Sequence, residues 1–325
     1  MRTYQGSIIT KTPITPSGPY QCGAASGVWT IDQMVGWQKA GLWPTAGQFP
    51  VGTFVIFALG SCTTTRNKYT YSGCVNASAT AASVASYRGS ATGNSTVGIF
   101  ALGYTTAPST TRNKYTYSGC VSASATASSA ASYQGSAAGN ATVGIFALGY
   151  VCSLGSTTTR NKYTYSGDTN ASATASSATS NAGSAAGNST VGIFALGCFT
   201  TTRNKYTYSG CVNASATASS ATSFRASAAG NSTVGIFALG YTGGTTRDKY
   251  TYSGDTNGTA TASSANSCAG AAAGNSTVGI FALGNNSTTR DKYTYSGCVN
   301  GSATAATATT YYGSAASNGT TGVNV

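Results

Sequence analysis

The side chains able to do chemistry in this 325-residue chain are five aspartates, nine cysteines and seventeen lysines and arginines, with no glutamate and no histidine. General acid and base work near neutral pH relies mostly on histidine or tuned carboxylates, and catalytic zinc sites draw on histidine, carboxylate and cysteine. The aspartates are poorly placed for either task. Asp248 and Asp291 fill a position that is Asn67, Asn113, Asn161 and Asn204 elsewhere in the chain, and Asp168 and Asp255 fill one that is Cys74, Cys120, Cys211 and Cys298. A carboxylate that exchanges with Asn or Cys is expected to be a turn residue, not a catalyst. Only Asp32 stands apart. The nine cysteines include no CxxC pair, so zinc is not expected. The four at one recurring position should lie farther apart than the roughly 7 Å Cα limit for a disulfide, and small buried thiols are the simplest expectation. No catalytic residue, metal or cofactor is expected, and the chain does not read as an enzyme.

These positions recur because one unit is written six times. From the Arg of TRNKYTYSG or TRDKYTYSG to the closing Gly of VGIFALG is 37 positions in five copies: Arg66 to Gly103, Arg112 to Gly149, Arg160 to Gly197, Arg203 to Gly240 and Arg247 to Gly284. A sixth copy starts at Arg290. All length variation lies between that Gly and the next Arg, where 5, 8, 10, 5, 6 and 5 residues intervene, counting from Gly60. Repeats of about 40 to 50 residues indicate propellers or solenoids. The three Trp and five of the six Pro lie in the first 50 residues, so residues 1–50 form a separate N-terminal segment and 51–325 the repeat domain.

Within a unit, Thr96 to Gly103 is apolar on both faces, as in a strand covered from two sides. Arg112 to Ser118 alternates Arg, Lys and Thr with Asn, Tyr and Tyr, the pattern of a half-buried strand. After Gly119 come an Ala/Ser/Thr run, an aromatic position (Tyr133) and a small-residue stretch ending Gly139-Asn140, which read as two further strands. Four strands per unit is the signature of a propeller blade. The order of motifs resembles the kelch repeat, although the usual double Gly is single here and the later Trp is missing. The fold class is therefore all-β, a kelch-like propeller of six four-stranded blades. The chain enters the repeat partway through, at Thr53 to Gly60, so an N-terminal strand can complete the blade begun by the last copy. Residues 320–325 encode the same strand, and only one of the two can occupy it.

Twelve basic residues form a repeated pair: Arg66/Lys68, Arg112/Lys114, Arg160/Lys162, Arg203/Lys205, Arg247/Lys249 and Arg290/Lys292. In a closed ring they would make a positive band, either a solvated outer face or one that attracts a polyanion such as an anionic host-surface glycan. Nucleic acid is disfavoured, because Tyr and Arg fall on opposite strand faces instead of interleaving in one groove. Two positions diverge between copies. One is the variable loop, with Tyr104, Tyr150, Phe199 and Tyr241; the other holds Tyr87-Arg88, Tyr133-Gln134, Asn181-Ala182, Phe224-Arg225, Cys268-Ala269 and Tyr311-Tyr312. If both open on one face, their aromatic and Arg side chains are candidate contacts for carbohydrate or protein.

In the N-terminal segment, Thr30 as N-cap, Gln33 as its capping-box partner and Trp29 against Met34 predict a helix stopped by Gly41 and Pro44. A helix of about ten residues is too short to stand alone, so it must dock on its own propeller or on a larger assembly. No apolar run is long enough to cross a bilayer as a helix. The string from Ser26 to Gln33 (SGVWTIDQ), followed by Gly41-Leu42-Trp43-Pro44, resembles the SGVW…WP segment of tail-fibre and other virion proteins of tailed bacteriophages, and the repeats resemble the array that accompanies it. The resemblance implies a non-enzymatic virion protein. Its N-terminal segment, with Trp29, Trp37 and Trp43, would attach to other virion proteins, and it would be a homo-oligomer in the particle. A glycan-cleaving appendage enzyme would need a carboxylate pair, and a cytoplasmic kelch-type scaffold would need a soluble protein partner. The lack of histidine disfavours a kelch-class copper oxidase.

Overall fold

The computed structural model describes Asp32, Gln33, Val35 and residues 53–318, apart from 72–74, 119 and 243. Contacts divide the chain into two units, Met1–Val51 and Gly52–Val325. In the first, Asp32, Gln33 and Val35 are helical, with Asp32 and Gln33 exposed. Trp29, Trp37, Trp43 and the ends of the expected helix lie outside the described residues.

The second unit is all-β, with six four-stranded antiparallel sheets. From the inside outward, blade I consists of Ser314–Ser317, Phe54–Ala58, Arg66–Thr70 and Val75–Ala79, and blade II of Ser90–Gly93, Val97–Ala101, Arg112–Thr116 and Val121–Ala125. Blades III to VI repeat this order, with inner strands Ser136–Gly139, Ser184–Gly187, Ser227–Gly230 and Ala271–Gly274. The inner strands neighbour one another in a closed circle that returns from blade VI to blade I. This is a six-bladed propeller. Blade I is built from both parts of the unit: Val55 to Ala58 pairs antiparallel with Ser317 to Ser314. The entering strand therefore completes the last blade, with Phe54–Ala58 in the second position; residues 320–325 lie outside the described residues.

The composition of each strand follows from the wedge shape of a blade. Inner strands crowd the axis, and their residues are Ser, Ala, Thr and Gly, all buried. The second strands carry the large apolar residues, and six clusters fill the six junctions. Between blades I and II, Phe54 and Ile56 meet Phe100, Leu102, Tyr115 and Tyr117. Between VI and I, Val278 and Ile280 meet Val55, Phe57 and Leu59. Burial of each such side chain is worth about 1.5 to 3 kcal/mol, so stability is distributed around the ring and held between blades.

The RNKYT strand differs from its half-buried expectation. Arg66, Asn67 and Tyr69 are all buried, and the same holds in every copy. Alternation within a strand records two chemically different faces. Here each face meets a neighbour, one of them the adjoining blade, so polar residues are covered as fully as aromatic ones.

Candidate functional site

The expected basic band does not reach solvent as a band, because its six arginines are 0 to 1% exposed. Each crosses to the next blade and donates from its terminal guanidinium nitrogen to the residue after that blade's Arg: Arg66 to Asn113 (3.1 Å), Arg112 to Asn161 (3.3 Å), Arg160 to Asn204 (3.3 Å), Arg203 to Asp248 (2.9 Å), Arg247 to Asp291 (2.9 Å) and Arg290 to Asn67 (3.2 Å). Each guanidinium also lies over the Phe of that neighbour, 4.4 to 4.6 Å from the ring centroid. Desolvation pushes Arg66, Arg112, Arg160 and Arg290 down to about 10. The same cause lowers Arg203 and Arg247, against the raising pull of Asp248 and Asp291. These residues are the clamps of the ring. Lys68, Lys114, Lys162, Lys205, Lys249 and Lys292 are half-buried on the same strands.

The aspartates sort into two structural roles. Asp168 and Asp255 are turn residues with φ of 47° and 48°, and each accepts a hydrogen bond from the hydroxyl of its own blade's tyrosine, Tyr163 or Tyr250. Asp248 and Asp291 are not turn residues as expected: they sit in strands, buried in the salt bridges to Arg203 and Arg247. The cysteines at the Asp168 position also differ from the expected buried thiols, for Cys120, Cys211 and Cys298 are half-buried on the outer turns. Lys162 Nζ approaches Cys211 Sγ at 3.5 Å and Lys249 Nζ approaches Cys298 Sγ at 3.4 Å. The Tyr293 hydroxyl and Lys249 together pull the Cys298 thiol down.

The two divergent positions come together on one face. Each variable loop leaves the second strand at the end where the chain enters the inner strand, and backbone bridges tie them: Tyr87 to Gly103 and Tyr104, Phe224 to Gly240, and Tyr311 to Gly60. Loop and divergent position then share side-chain contacts. Tyr87, Tyr104, Tyr133 and Tyr150 form a chain with centroids 5.2, 5.6 and 5.0 Å apart, Phe199 stacks on Phe224 at 4.3 Å, and Tyr311 meets Tyr312 at 4.4 Å. Phe199 and Tyr241 are exposed, at 53% and 67%, while Tyr312 is buried.

At the centre of this face is a feature the sequence did not announce. Arg88, Gln134, Ala182, Arg225, Ala269 and Tyr312 all have φ between 52° and 59°. Their peptide groups form a closed circle, in which Arg88 donates to Tyr312 (3.0 Å), Gln134 to Arg88 (2.8 Å), Ala182 to Gln134 (2.9 Å), Arg225 to Ala182 (2.8 Å), Ala269 to Arg225 (3.0 Å) and Tyr312 to Ala269 (2.7 Å). Left-handed backbone at a residue with a side chain costs about 1 to 3 kcal/mol and persists where its surroundings impose it. Glycine at the end of VGIFALG is one such surrounding: Gly103 has φ of 71°, and a Cβ there would strike the carbonyl oxygen of Arg88. The circle surrounds a cavity of about 30 Å³, lined by its six residues and the small residue after each. Guanidiniums rim it, with Arg88 Cζ 4.7 Å and Arg225 Cζ 5.0 Å from the Tyr312 ring centroid. Recurrence of a non-glycine residue before Gly or Ala (Arg88-Gly89, Gln134-Gly135, Arg225-Ala226) was the available signal.

The fold has known relatives in structure. TolB from Acinetobacter baumannii is similar at a TM-score of 0.57 and 9% identity, over 88% of this chain and 71% of that one. YjhT is similar at 0.55 and 11%, over 72% of this chain and 88% of its own. At such identities the likeness shows a propeller and nothing of activity. The sequence matches no family model and no curated protein. Among the described residues no cluster of histidine, cysteine or carboxylate could hold a metal, and no helix is long and apolar enough to cross a membrane.

Proposed function

We propose that this chain is a non-enzymatic virion protein of a tailed bacteriophage, a tail fibre or other appendage component, whose propeller presents a contact face to the host surface or to neighbouring subunits. The observation that carries this reading is the meeting of both divergent positions on one face. Among the copies within the chain the junction residues are nearly unchanged, while the positions of Tyr87, Arg88, Tyr104, Tyr133, Tyr150, Phe199, Phe224, Arg225, Tyr241, Tyr311 and Tyr312 vary, and all of these belong to that face or its rim. Aromatic and Arg side chains held on rigid blades suit recognition of saccharide or protein at low conformational cost. The SGVW…WP segment supplies the virion part of the proposal. Asp168, Asp248, Asp255 and Asp291 are each committed to Arg or Tyr partners, which favours binding over glycan cleavage. Electron microscopy of purified particles labelled through this chain tests the proposal: density for a six-bladed disc on an appendage is expected, and particles lacking the chain would overturn it.

A further inference from the structure

Arg88 and Arg225 stand three steps apart in the six-membered backbone circle, so they approach the axis from opposite sides. Both guanidiniums nevertheless converge on one ring, that of Tyr312. Nothing among the described residues neutralises them: the salt bridges of the described residues are those of Arg203 and Arg247, and Asp168, Asp248, Asp255 and Asp291 lie at junctions and outer turns. The Nε atoms of Arg88 and Arg225 are buried without a hydrogen-bond partner, and the Tyr312 ring between them, 6% exposed, has Tyr311 against it. Two cations held together over a phenol, with donors unused, repel one another and leave polar groups unsatisfied. One anion between them answers both defects, since guanidinium donors match the oxygens of a carboxylate or phosphate.

We propose that Arg88 and Arg225, converging on the Tyr312 ring, form a site on the propeller axis for a single oxyanion group of an acidic saccharide. The small cavity inside the circle is too narrow for a sugar, so the ring of the saccharide lies outside it. There Tyr87, Tyr133 and Phe224 offer apolar faces around the arginines. The proposal rests on the reading of this face as the contact surface. It also moves the place where an anionic glycan can be met, because the twelve repeated basic residues are buried or half-buried at the junctions while these two cations open on the face.

Calorimetric titration of the full chain at fixed ionic strength tests it, with glucuronate and glucose 6-phosphate as acidic probes and glucose as the neutral one. Glucuronate and the phosphate are expected to bind at least about tenfold more tightly than glucose, and their ratio tells a carboxylate site from a phosphate site. Arg225→Met should weaken the acidic probes about tenfold, with Arg225→Lys between it and the parent, because lysine keeps the charge and loses the fork. Both side chains are half-exposed, so the variants should melt close to the parent; Arg88→Met is the second variant should one fail to fold. Acidic probes binding no better than glucose, or binding the folded Met variants as they bind the parent, would overturn the proposal. Absence of the chain from particles alongside tight acidic-probe binding would sink the virion reading alone.

Discussion

Two junctions of the ring, between blades IV and V and between V and VI, hold a buried arginine against aspartate; the other four hold the same arginine against asparagine. The distances differ little, 2.9 Å against 3.1 to 3.3 Å. Charge balance therefore does not decide what this position must be. A hydroxyl side chain from the preceding blade, serine at five junctions and Thr307 at the sixth, explains the tolerance. At the asparagine junctions the side-chain amide donates to it, as Asn204 Nδ2 does to Ser177 Oγ at 2.7 Å. At the aspartate junctions the hydroxyl turns round and donates, as Ser220 Oγ does to Asp248 Oδ1 at 2.5 Å. A hydroxyl can play either part. In both cases a backbone N–H of the same serine donates to the acceptor oxygen, so one hydrogen-bond frame accepts either residue.

The largest effect is expected from alkali, which acts on both kinds of junction and so measures what they share. Burial pushes Tyr115 up to about 12 and raises Tyr117, Tyr208 and Tyr295 well above the ordinary phenol value. A raised folded value means that the native state holds these protons more firmly, so stability is intact below pH 10 and declines as pH rises through about 12. The buried guanidiniums, lowered to about 10, work in the opposite sense, but the phenols raised at the junctions, Tyr71, Tyr115, Tyr117, Tyr165, Tyr206, Tyr208, Tyr252, Tyr293 and Tyr295, outnumber the six arginines and decide the sign. Circular dichroism and the tyrosinate absorbance of the buried rings should change together above pH 10; buried tyrosines that titrate while the fold persists would contradict this.

Substitutions then separate the two kinds of junction. Arg203→Met leaves Asp248 buried with its charge unpaired and should cost about 3 to 5 kcal/mol in denaturant unfolding. Arg160→Met takes a donor from the neutral side-chain oxygens of Asn204 and Asn213 and removes a desolvated cation, for an expected cost of about 1 to 3 kcal/mol. Equal losses in the two variants would break the distinction. Asp248→Asn converts one junction into the other kind and should change stability by about 1 kcal/mol or less, provided the Ser220 hydroxyl can turn; combining it with Ser220→Ala should then enlarge the loss.

The blade, its four strands and the closure of the ring were legible because fixed spacing and a two-sided apolar strand have few structural solutions. The junction arginines were not. A single strand shows which residues share a face but not whether that face meets water or another blade, and the pattern Arg, Lys, Thr against Asn, Tyr, Tyr suits either case. Strict recurrence of an Arg one residue before Asn or Asp was the hint, since an exposed pair would be free to drift. On the contact face, divergence marked Tyr87, Arg88, Phe224 and Arg225, whereas their left-handed backbone was hidden: Arg, Gln, Ala and Tyr give no sign of positive φ, as glycine would. The turn expectation for aspartate held at Asp168 and Asp255 and failed at Asp248 and Asp291, because substitution by Asn has two causes, turn geometry and an interchangeable acceptor.

The circle of six peptide groups also bears on heredity. Units this alike invite misaligned recombination, which adds or deletes a whole copy without disturbing any reading frame. Every junction would still find its arginine and its acceptor, since all copies carry both. The angle between neighbouring blades would shift, and the circle would register the change most directly, because five or seven left-handed peptides cannot share the diameter that six close with bonds of 2.7 to 3.0 Å. Copy number in this gene is thus counted at the axis of the protein.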